Sequence, residues 1–425
     1  MLPPQPILSG EKDRSMQLQA PSQGGRSASA GNVKGDVQTN HDLPPHSDDV
    51  EEERRRVLLA IGAVYSTQPN GQVSAIDPVS QQTVMSRDAA DRYLQSFQRQ
   101  PVSWMVCDRI LGPNGVPSDD PGAAVQARFI AAQTFLAKCR TDVTQLPPEQ
   151  LPSLRDSLMN HLTTHSLGGA NRALVTRLGL ALSALAVQMG WYTIIPDVFN
   201  TVLGPRPELA PAVMDLFKLL PEECCSGRLV LADESRRREF GGRLRDCSGQ
   251  IMEFLLQMAQ SSTNDPAGNR TREGALQTLH SWVRYVEMPP SLLESSPLVE
   301  WTFSFLEVAC AGDSSGHHYH NGDAFETAVD VVVELLRQYP SDPRENTGLV
   351  QRMIPLAMLL GRPSDDGPFR KALRDDDEDA TRGYCRIFTE MGESYMSLIM
   401  SHEDLDQAKL VDLVLDCSAI PDRGN

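Results

Sequence analysis

Apolar residues recur along most of the chain at intervals of three or four positions, with polar residues between them. Val125, Phe129, Ala132, Leu136 and Cys139, for example, fall on one side of a helix. This period is that of an amphipathic α-helix with one buried face. Each such segment is followed by another, so the pattern predicts helix pairs. They begin near residues 51, 124, 171, 208, 276, 325 and 380.

The spacing of the pairs predicts how they assemble. The tighter spacings match the period of about 40–47 residues of HEAT-type repeats, and the wider ones require loop insertions. A single pair cannot bury its apolar face alone, so neighbouring pairs must stack. We therefore predict an all-α fold, a HEAT-repeat α-solenoid of about seven helix pairs that curves into a superhelix. Pro221 is expected to end the first helix of the fourth pair.

The first 49 residues follow a different pattern. They are rich in Pro, Gly, Ser and Gln and contain almost no aromatic residues. Such a segment cannot bury enough apolar area to offset the entropy of ordering it. Residues 1–49 are therefore predicted to be a disordered tail. Residues 178–196 carry no charge and have nearly the length of a membrane span. Their helical stripe and Gly190 favour a buried helix followed by a turn, so no membrane association is predicted.

Charge and cysteine content narrow the range of partners. The formal net charge is -17, which disfavours nucleic acid and favours basic partners. Most of the eight cysteines lie within apolar stripes, without a CxxC spacing, as expected for reduced thiols of the cytosol or nucleus.

The sequence offers no constellation typical of catalysis. It lacks GxxxxGK[ST], GxGxxG, GxSxG and HExxH. His317, His318 and His320 follow Cys310 in a Gly/Ser/Asp loop, but a zinc site needs four well-placed ligands, and a solvated loop is the favoured interpretation. We therefore expect no enzyme, no cofactor and no metal site.

Five segments occur in an order that resembles a known family. They are FIAAQTFLAKCRTDVTQLP, SLRDSL, LALSALAVQM, LLPEE and YCRIFTEMGESY. Together they resemble the amino-terminal half of nuclear import receptors of the importin-β (karyopherin-β) family, most closely its transportin-SR (transportin-three) branch. The resemblance spans residues 51–421. It implies an importin-β N-terminal-like repeat at 50–112, exportin/importin-like HEAT repeats at 113–260, and further HEAT repeats at 261–425 that are truncated at the C-terminal end.

The resemblance also implies partners and a location. Family members bind the GTPase Ran in its GTP form on inner helices, and the transportin-SR branch carries arginine/serine-rich cargo into the nucleus. Phenylalanine–glycine (FG) repeats of nucleoporins would occupy grooves between outer helices. A shuttling protein of cytoplasm and nucleus is expected, with its cargo region mostly in the missing half.

By position, the resemblance places the Ran contact on the second helices of the first three repeats. Two interpretations stay open for Arg155 and Asp156, which lie in SLRDSL: contact with Ran, or an ion pair or cap within the repeat. Trp104 is favoured as a core residue over a contact. The full candidate set is Gln95, Gln98, Trp104, Arg155, Asp156, Asp197 and Asn200.

A dense acidic run is a second candidate contact. Asp375, Asp376, Asp377, Glu378 and Asp379 follow Arg374. One interpretation is a contact for a basic face of Ran or cargo. The other is a solvated loop that places negative charge before the positive end of the helix near Thr381.

Two other functions remain as alternatives. One is a helical-repeat scaffold without dependence on Ran. The other is a truncated product unable to carry cargo, in which the apolar side of Leu410, Leu413 and Val414 lacks a capping repeat. The second alternative predicts that Leu413→Asp improves solubility.

Overall fold

The computed structural model describes residues 47–65, 85–117, 121–169, 171–263, 265–309, 322–340, 347–362, 367–396, 411–415 and 417. They belong to one compact unit, Pro45–Asn425. Within these ranges all regular structure is helical, which confirms the all-α repeat fold. The predicted tail lies outside the described residues except for positions 47–49, which are already helical. Asp48 and Asp49 favour this earlier start because they place negative charge at a helix N-terminus. Cys310, the three histidines and Leu410 also lie outside.

Seventeen helices are labelled here in chain order, all within the described residues. They are α1 (Ser47–Tyr65), α2 (Arg87–Arg99), α3 (Ser103–Leu111), α4 (Pro121–Thr141), α5 (Leu151–Leu167), α6 (Arg172–Met189), α7 (Ile194–Val198), α8 (Ala210–Cys225), α9 (Ser235–Asp246), α10 (Ser248–Ser261), α11 (Pro266–Tyr285), α12 (Pro290–Ser295), α13 (Pro297–Ala309), α14 (Gly322–Gln338), α15 (Thr347–Leu360), α16 (Pro368–Arg374) and α17 (Glu378–Ser394). A π-helical turn, Phe199–Leu203, continues α7, and residues 411–415 are helical.

The helices form two layers. The first layer is the row α4, α6, α8, α11, α14 and α17, in which each helix packs against the next. In the second layer, α3, α5, α10 and α13 pack against α4, α6, α11 and α14 respectively. Helices α6, α11 and α14 therefore have first-layer neighbours on two sides and a second-layer helix on a third.

Helix α6 shows what this arrangement demands of a sequence. Among the described residues it alone has the length and hydropathy of a membrane span, yet 61% of it is buried inside the protein. It packs between α4 and α8, and an added Cβ at Gly179 would lie 3.1 Å from Leu219 Cδ1. Gly190 ends the helix with φ 68°, a conformation that glycine adopts without strain. The apolar character of α6 is therefore that of a core helix.

Two expectations from the sequence were wrong, one about where a helix ends and one about the exposure of an apolar side chain. Helix α8 continues through Pro221 to Cys225, because Leu220, Glu223 and Cys224 are buried and their contacts offset the missing backbone donor. The second expectation was that Leu413, near the C-terminal end of the chain, is exposed, but its side chain is buried.

The side chain of Leu413 is only 5% exposed. A Cβ added at Gly361 would lie within 3.1 Å of both Leu413 and Phe388, so these three residues lie together. Val414 is half-buried and reaches Gly392. The exposed apolar side chains of this helix are instead Val411 and Leu415.

Candidate functional site

Helix α5 lies between two surface depressions. The α3–α5 depression has a volume of about 700 Å³ and is lined by residues of α1, α3, the turn after α3, and α5. The α5–α7 depression has a volume of about 400 Å³ and is lined by residues of α5, α7 and the segment that follows α7. Asn160 is exposed and lines both, so it marks the ridge between them.

The floor of the α3–α5 depression is a set of polar contacts between α3 and α5. The Asp108 carboxylate of α3 contacts His161 Nε2 at 2.9 Å and also accepts a hydrogen bond from Ser157 Oγ. His165 Nε2 donates to the Leu111 carbonyl at 3.0 Å. Burial would raise the pKa of Asp108, but the hydrogen bonds from His161 and Ser157 outweigh burial and lower it. These contacts join the neighbouring second-layer helices α3 and α5.

Arg54 closes the far wall of the same depression. Its guanidinium binds the Glu51 carboxylate and the Gly115 carbonyl, and thereby joins α1 to the turn that ends α3. The hydrogen bond from Arg54 lowers the pKa of Glu51. Arg109 lines the opening and is exposed. The wall therefore holds Arg54, which is fixed by its hydrogen bonds, and the exposed guanidinium of Arg109.

The α5–α7 depression brings together three of the predicted contact residues. The Arg155 guanidinium lies over the Trp191 ring at 5.1 Å and pairs with the Asp156 carboxylate at 2.8 Å. Asp197 accepts hydrogen bonds from Trp191 Nε1 at 2.6 Å and from Thr193 Oγ1 at 2.8 Å. Trp191 thus links Arg155 to Asp197, and the ion pair expected as the alternative role of Arg155 and Asp156 is present.

The candidates of the first repeat do not line either depression. Trp104 is 4% exposed, and its ring contacts Phe135 at 6.0 Å with Lys138 Nζ 4.9 Å from its centre. Its side chain belongs to the core and is not available to a partner. Gln98 is half-buried, and its backbone carbonyl accepts a hydrogen bond from Lys138 Nζ.

Two further candidates keep exposed side chains. Gln95 donates to Asp91 on its own helix, at 2.8 Å. Asn200 is exposed on the π-helical turn.

The sequence did not predict four residues that the first repeat contributes to the α3–α5 depression. These residues lie on the polar faces of α1 and α3. The amphipathic pattern of the two helices predicts only that these side chains face away from the core. The position of α5 beside α3 gives them their common cavity. They are Glu51, Arg54, Asp108 and Arg109.

The local charge differs from that of the whole chain. Four arginines and four carboxylates line the two depressions, although the chain carries a net charge of -17. This surface therefore suits a partner with charges of both signs. The residues are Arg54, Arg109, Arg155 and Arg206, and Glu51, Asp108, Asp156 and Asp197.

The acidic run lies elsewhere: it spans the turn between α16 and α17 and the first two residues of α17, and all five of its side chains are exposed. Asp377 accepts a hydrogen bond from the Ala380 amide at 3.0 Å and caps α17. Asp376 has φ 56°, which bends the turn. Asp379 pairs with Arg382 at 3.3 Å. The cap is a structural role for Asp377, and the run lines neither depression.

A third, apolar depression of about 240 Å³ lies between α4, α6 and the C-terminal end of α1. It is lined by Tyr65 at the end of α1, Val125 and Phe129 of α4, and Leu174 of α6. Tyr65 and Val125 are each 43% exposed.

Over the described part of the chain, no group of three His, Cys, Asp or Glu side chains is placed to hold a metal ion.

Two family models match the chain. Residues 171–332 match one described as Exportin 1-like protein, and residues 376–424 match one described as Transportin-3/Importin-13 second TPR domain.

Curated relatives include the mRNA transport regulator MTR10 of Saccharomyces cerevisiae, 28% identical over 82% of this chain and 35% of the relative. Transportin MOS14 of Arabidopsis thaliana is 26% identical over 78% of this chain and 32% of the relative. Importin-13 of Homo sapiens is 23% identical over 80% and 32%. The chain thus spans about a third of the length of these relatives.

Proposed function

Since this chain belongs to the importin-β family of nuclear transport receptors, we propose that it binds Ran in its GTP form and takes part in protein transport between cytoplasm and nucleus. The contact surface would be the exposed face of α5 with the depressions on its two sides. The observation that carries the proposal is the grouping of Arg155, Asp156 and Asp197 around Trp191.

The arrangement supports a protein contact for a physical reason. Arg155 is held by the face of Trp191 and by Asp156, so little side-chain freedom remains to be lost when a partner arrives. Asn160 adds an exposed amide on the ridge. Arginine and tryptophan are enriched among the residues that carry most of the binding energy near the centre of protein interfaces.

Capture of Ran loaded with GTP or with GDP tests this proposal. The full chain should retain the GTP form selectively, and Arg155→Ala should weaken that binding by about tenfold or more, the order expected for a central arginine. Arg243→Ala is the matched control, because Arg243 is an exposed arginine in an i,i+3 pair with Asp246 on α9. Equal capture of both forms, or capture of neither, would contradict selective binding of the GTP form and favour a helical-repeat scaffold.

We also propose that the acidic run contacts arginine/serine-rich cargo or a basic face of Ran. Its five side chains are exposed, and a dense run of carboxylates attracts a cationic partner. Replacing Asp375, Asp376, Glu378 and Asp379 by their amides, while keeping the cap Asp377, should weaken binding of an arginine/serine-rich peptide and reduce its salt dependence. Unchanged binding would remove the run from the interface.

For nucleoporin FG repeats we propose the apolar depression beside Val125. Its volume of about 240 Å³ and its lining by Tyr65, Val125, Phe129 and Leu174 suit a phenylalanine side chain. Val125→Ser should weaken binding of an FG-repeat peptide, whereas Val230→Ser, at a valine that is 64% exposed elsewhere, should not. Equal effects of the two substitutions would exclude this depression.

A further inference from the structure

Helix α9 carries a concentration of arginines on a chain that is acidic overall. Residues 228–246 contain six arginines and four carboxylates, whereas the whole chain has a net charge of -17. Two of these arginines hold the fold together. Arg236 donates to the Gln188 carbonyl in the last turn of α6, and Arg237 donates to the Ser226 carbonyl, just after α8, at 2.8 Å. Both therefore bind carbonyls at helix C-termini, where cations are stabilising.

The face of α9 that points away from the core has a different composition. Phe240 and Leu244 are buried and attach the helix to its neighbours. On the outer side, Arg238, the glycine pair 241–242 and Arg245 follow one another at positions i, i+3, i+4 and i+7. Helical geometry brings these positions to one side of the helix. Arg238 and Arg245 are both exposed there, with the two glycines between them.

Gly241 and Gly242 leave a gap between the two arginines. A Cβ added at either position would meet nothing within 4 Å, so no part of the described chain packs over them. A glycine inside a helix is less stable than an alanine, and packing against the described chain does not account for this pair. With no side chain at either position, the backbone of another protein can approach closely between the arginines.

The charges of this face are exposed and can be shared with a partner. Arg245 pairs with the Glu287 carboxylate, and both side chains are open to solvent. Such an exposed pair contributes little to stability, so Arg245 can exchange Glu287 for a carboxylate of another protein. Beside Arg238, the carboxylate of Asp233 accepts hydrogen bonds from the amide and the hydroxyl of Ser235. Asp233 is thus held at the first turn of α9, and Arg238 stays exposed.

We propose that this outer face of α9 binds an acidic peptide segment of a partner protein in extended conformation. The peptide backbone lies over Gly241 and Gly242, and two of its carboxylates contact Arg238 and Arg245. The two arginines are seven residues apart in a helix, which corresponds to about 10 Å along its axis. An extended chain advances about 3.3 Å per residue, so carboxylates about three residues apart reach both arginines.

Charge complementarity selects this partner. The chain as a whole repels anions, so an acidic segment is attracted mainly where arginines are concentrated, and the attraction fixes its position as well as its strength. A nucleic acid would present a long row of phosphates to the surrounding negative surface, which disfavours it. A short acidic segment meets only α9.

The test measures binding of a fluorescein-labelled octaglutamate peptide to the full chain by fluorescence anisotropy at low salt. The unaltered chain should bind octaglutamate and should not bind octaglutamine. Arg238→Glu should weaken octaglutamate binding by about tenfold, because it replaces an attraction by a repulsion. Arg270→Glu is the matched control, since Arg270 is an exposed arginine on α11 and its reversal changes the net charge equally. It should weaken binding by less than about twofold.

A second variant separates a docked peptide from attraction at a distance. Gly242→Leu keeps every charge and adds a side chain where the structure leaves open space, so the fold should be retained. The leucine fills the gap between the arginines and should weaken octaglutamate binding. Gly62→Leu on α1 is the matched control, because a Cβ added at Gly62 also meets nothing within 4 Å. It should leave binding unchanged.

Any of four results would overturn the proposal. The first three are no octaglutamate binding by the unaltered chain, equal weakening by Arg238→Glu and Arg270→Glu, and equal affinity of Gly242→Leu and the unaltered chain. The fourth is tighter binding of polyuridylate RNA than of octaglutamate, which would assign the face to nucleic acid. Ran is absent from this assay, so the outcome is independent of the proposed function.

Discussion

At the scale of single residues, a buried ion pair joins repeats that are not adjacent. Arg140 at the end of α4 and Glu223 on α8 share two hydrogen bonds of 2.6 Å, across the end of α6. Glu223 is only 2% exposed. Gln188 of α6 donates to the carbonyls of Arg140 and Val230, and the Val230 amide donates to the same Arg140 carbonyl. Three first-layer helices thus end in one hydrogen-bond network.

Breaking this pair should be costly. Arg140→Met leaves the Glu223 carboxylate buried without its cation, so we expect the free energy of unfolding to fall by about 3–5 kcal/mol. Arg243→Met is the control, because the Arg243–Asp246 pair is exposed on both sides and should contribute less than about 1 kcal/mol. Urea unfolding of the two variants measures the difference. Similar losses in both would show that the network does not hold the repeats together.

His165 predicts a pH dependence of stability. Burial lowers the pKa of His165 from its ordinary value of 6.5, and Arg128 and His161 nearby lower it further, while the hydrogen bond to Leu111 opposes them. A histidine with a lowered folded-state pKa stabilises the protein above pH 6.5, and this contribution is lost as the pH falls through the folded-state value. His165→Gln keeps a donor for Leu111 but cannot titrate.

We therefore expect the free energy of unfolding of His165→Gln to fall less between pH 7 and 5 than that of the unaltered chain. The difference amounts to about 1.4 kcal/mol for each unit of pKa lowering. Urea melts at several pH values measure it. Parallel profiles would contradict this role of His165.

At the scale of elements, glycines decide how closely helices approach. A Cβ added at Gly383 of α17 would lie 2.8 Å from Phe325 Cε1 and 3.0 Å from Val329 Cγ2 of α14. The helix–helix contact therefore depends on the absence of a side chain. Helical periodicity places Gly383 on the buried face of α17, but only the position of α14 shows that even a methyl group is too large.

Gly383→Ala should lower the free energy of unfolding by about 1–2 kcal/mol, because overpacking exceeds the gain in helix propensity. Gly241→Ala on α9 is the matched control, since its added Cβ meets nothing within 4 Å. That change should raise stability by about 0.5–1 kcal/mol. Thermal or urea unfolding of both variants checks the opposite signs, and a stabilising Gly383→Ala would refute the close contact.

At the scale of the whole molecule, stability is distributed along a row of helices, and each end can open without the rest. Leu413 belongs to the last described helix and is buried against Phe388. Leu413→Asp should therefore release this helix, in contrast to the sequence-based expectation of better solubility, because a carboxylate cannot be buried there without a partner.

Hydrogen exchange localises this effect. Amides of residues 411–415 should exchange faster in Leu413→Asp, by roughly a hundredfold if about 3 kcal/mol of local stability is lost. Leu415→Asp is the control on the same helix, because Leu415 is 58% exposed. Equal exchange in the two variants would show that Leu413 contributes no packing.

The sequence by itself determined the class of fold. The period of three and four places Leu178, Leu182 and Leu185 on a buried face, and paired helices of this kind must stack because each exposes an apolar side. The order of five short segments also gave the family. Both inferences depend on local patterns, which are visible in the order of residues alone.

The tertiary structure alone decided the site and the exceptions. Arg54, Asp108 and Asn160 share one depression only because α1, α3 and α5 lie side by side. Trp104 is enclosed only because α4 covers it, and Pro221 stays within α8 only because its neighbours are buried. Such outcomes depend on contacts between residues far apart in the chain, whose energies no local pattern contains.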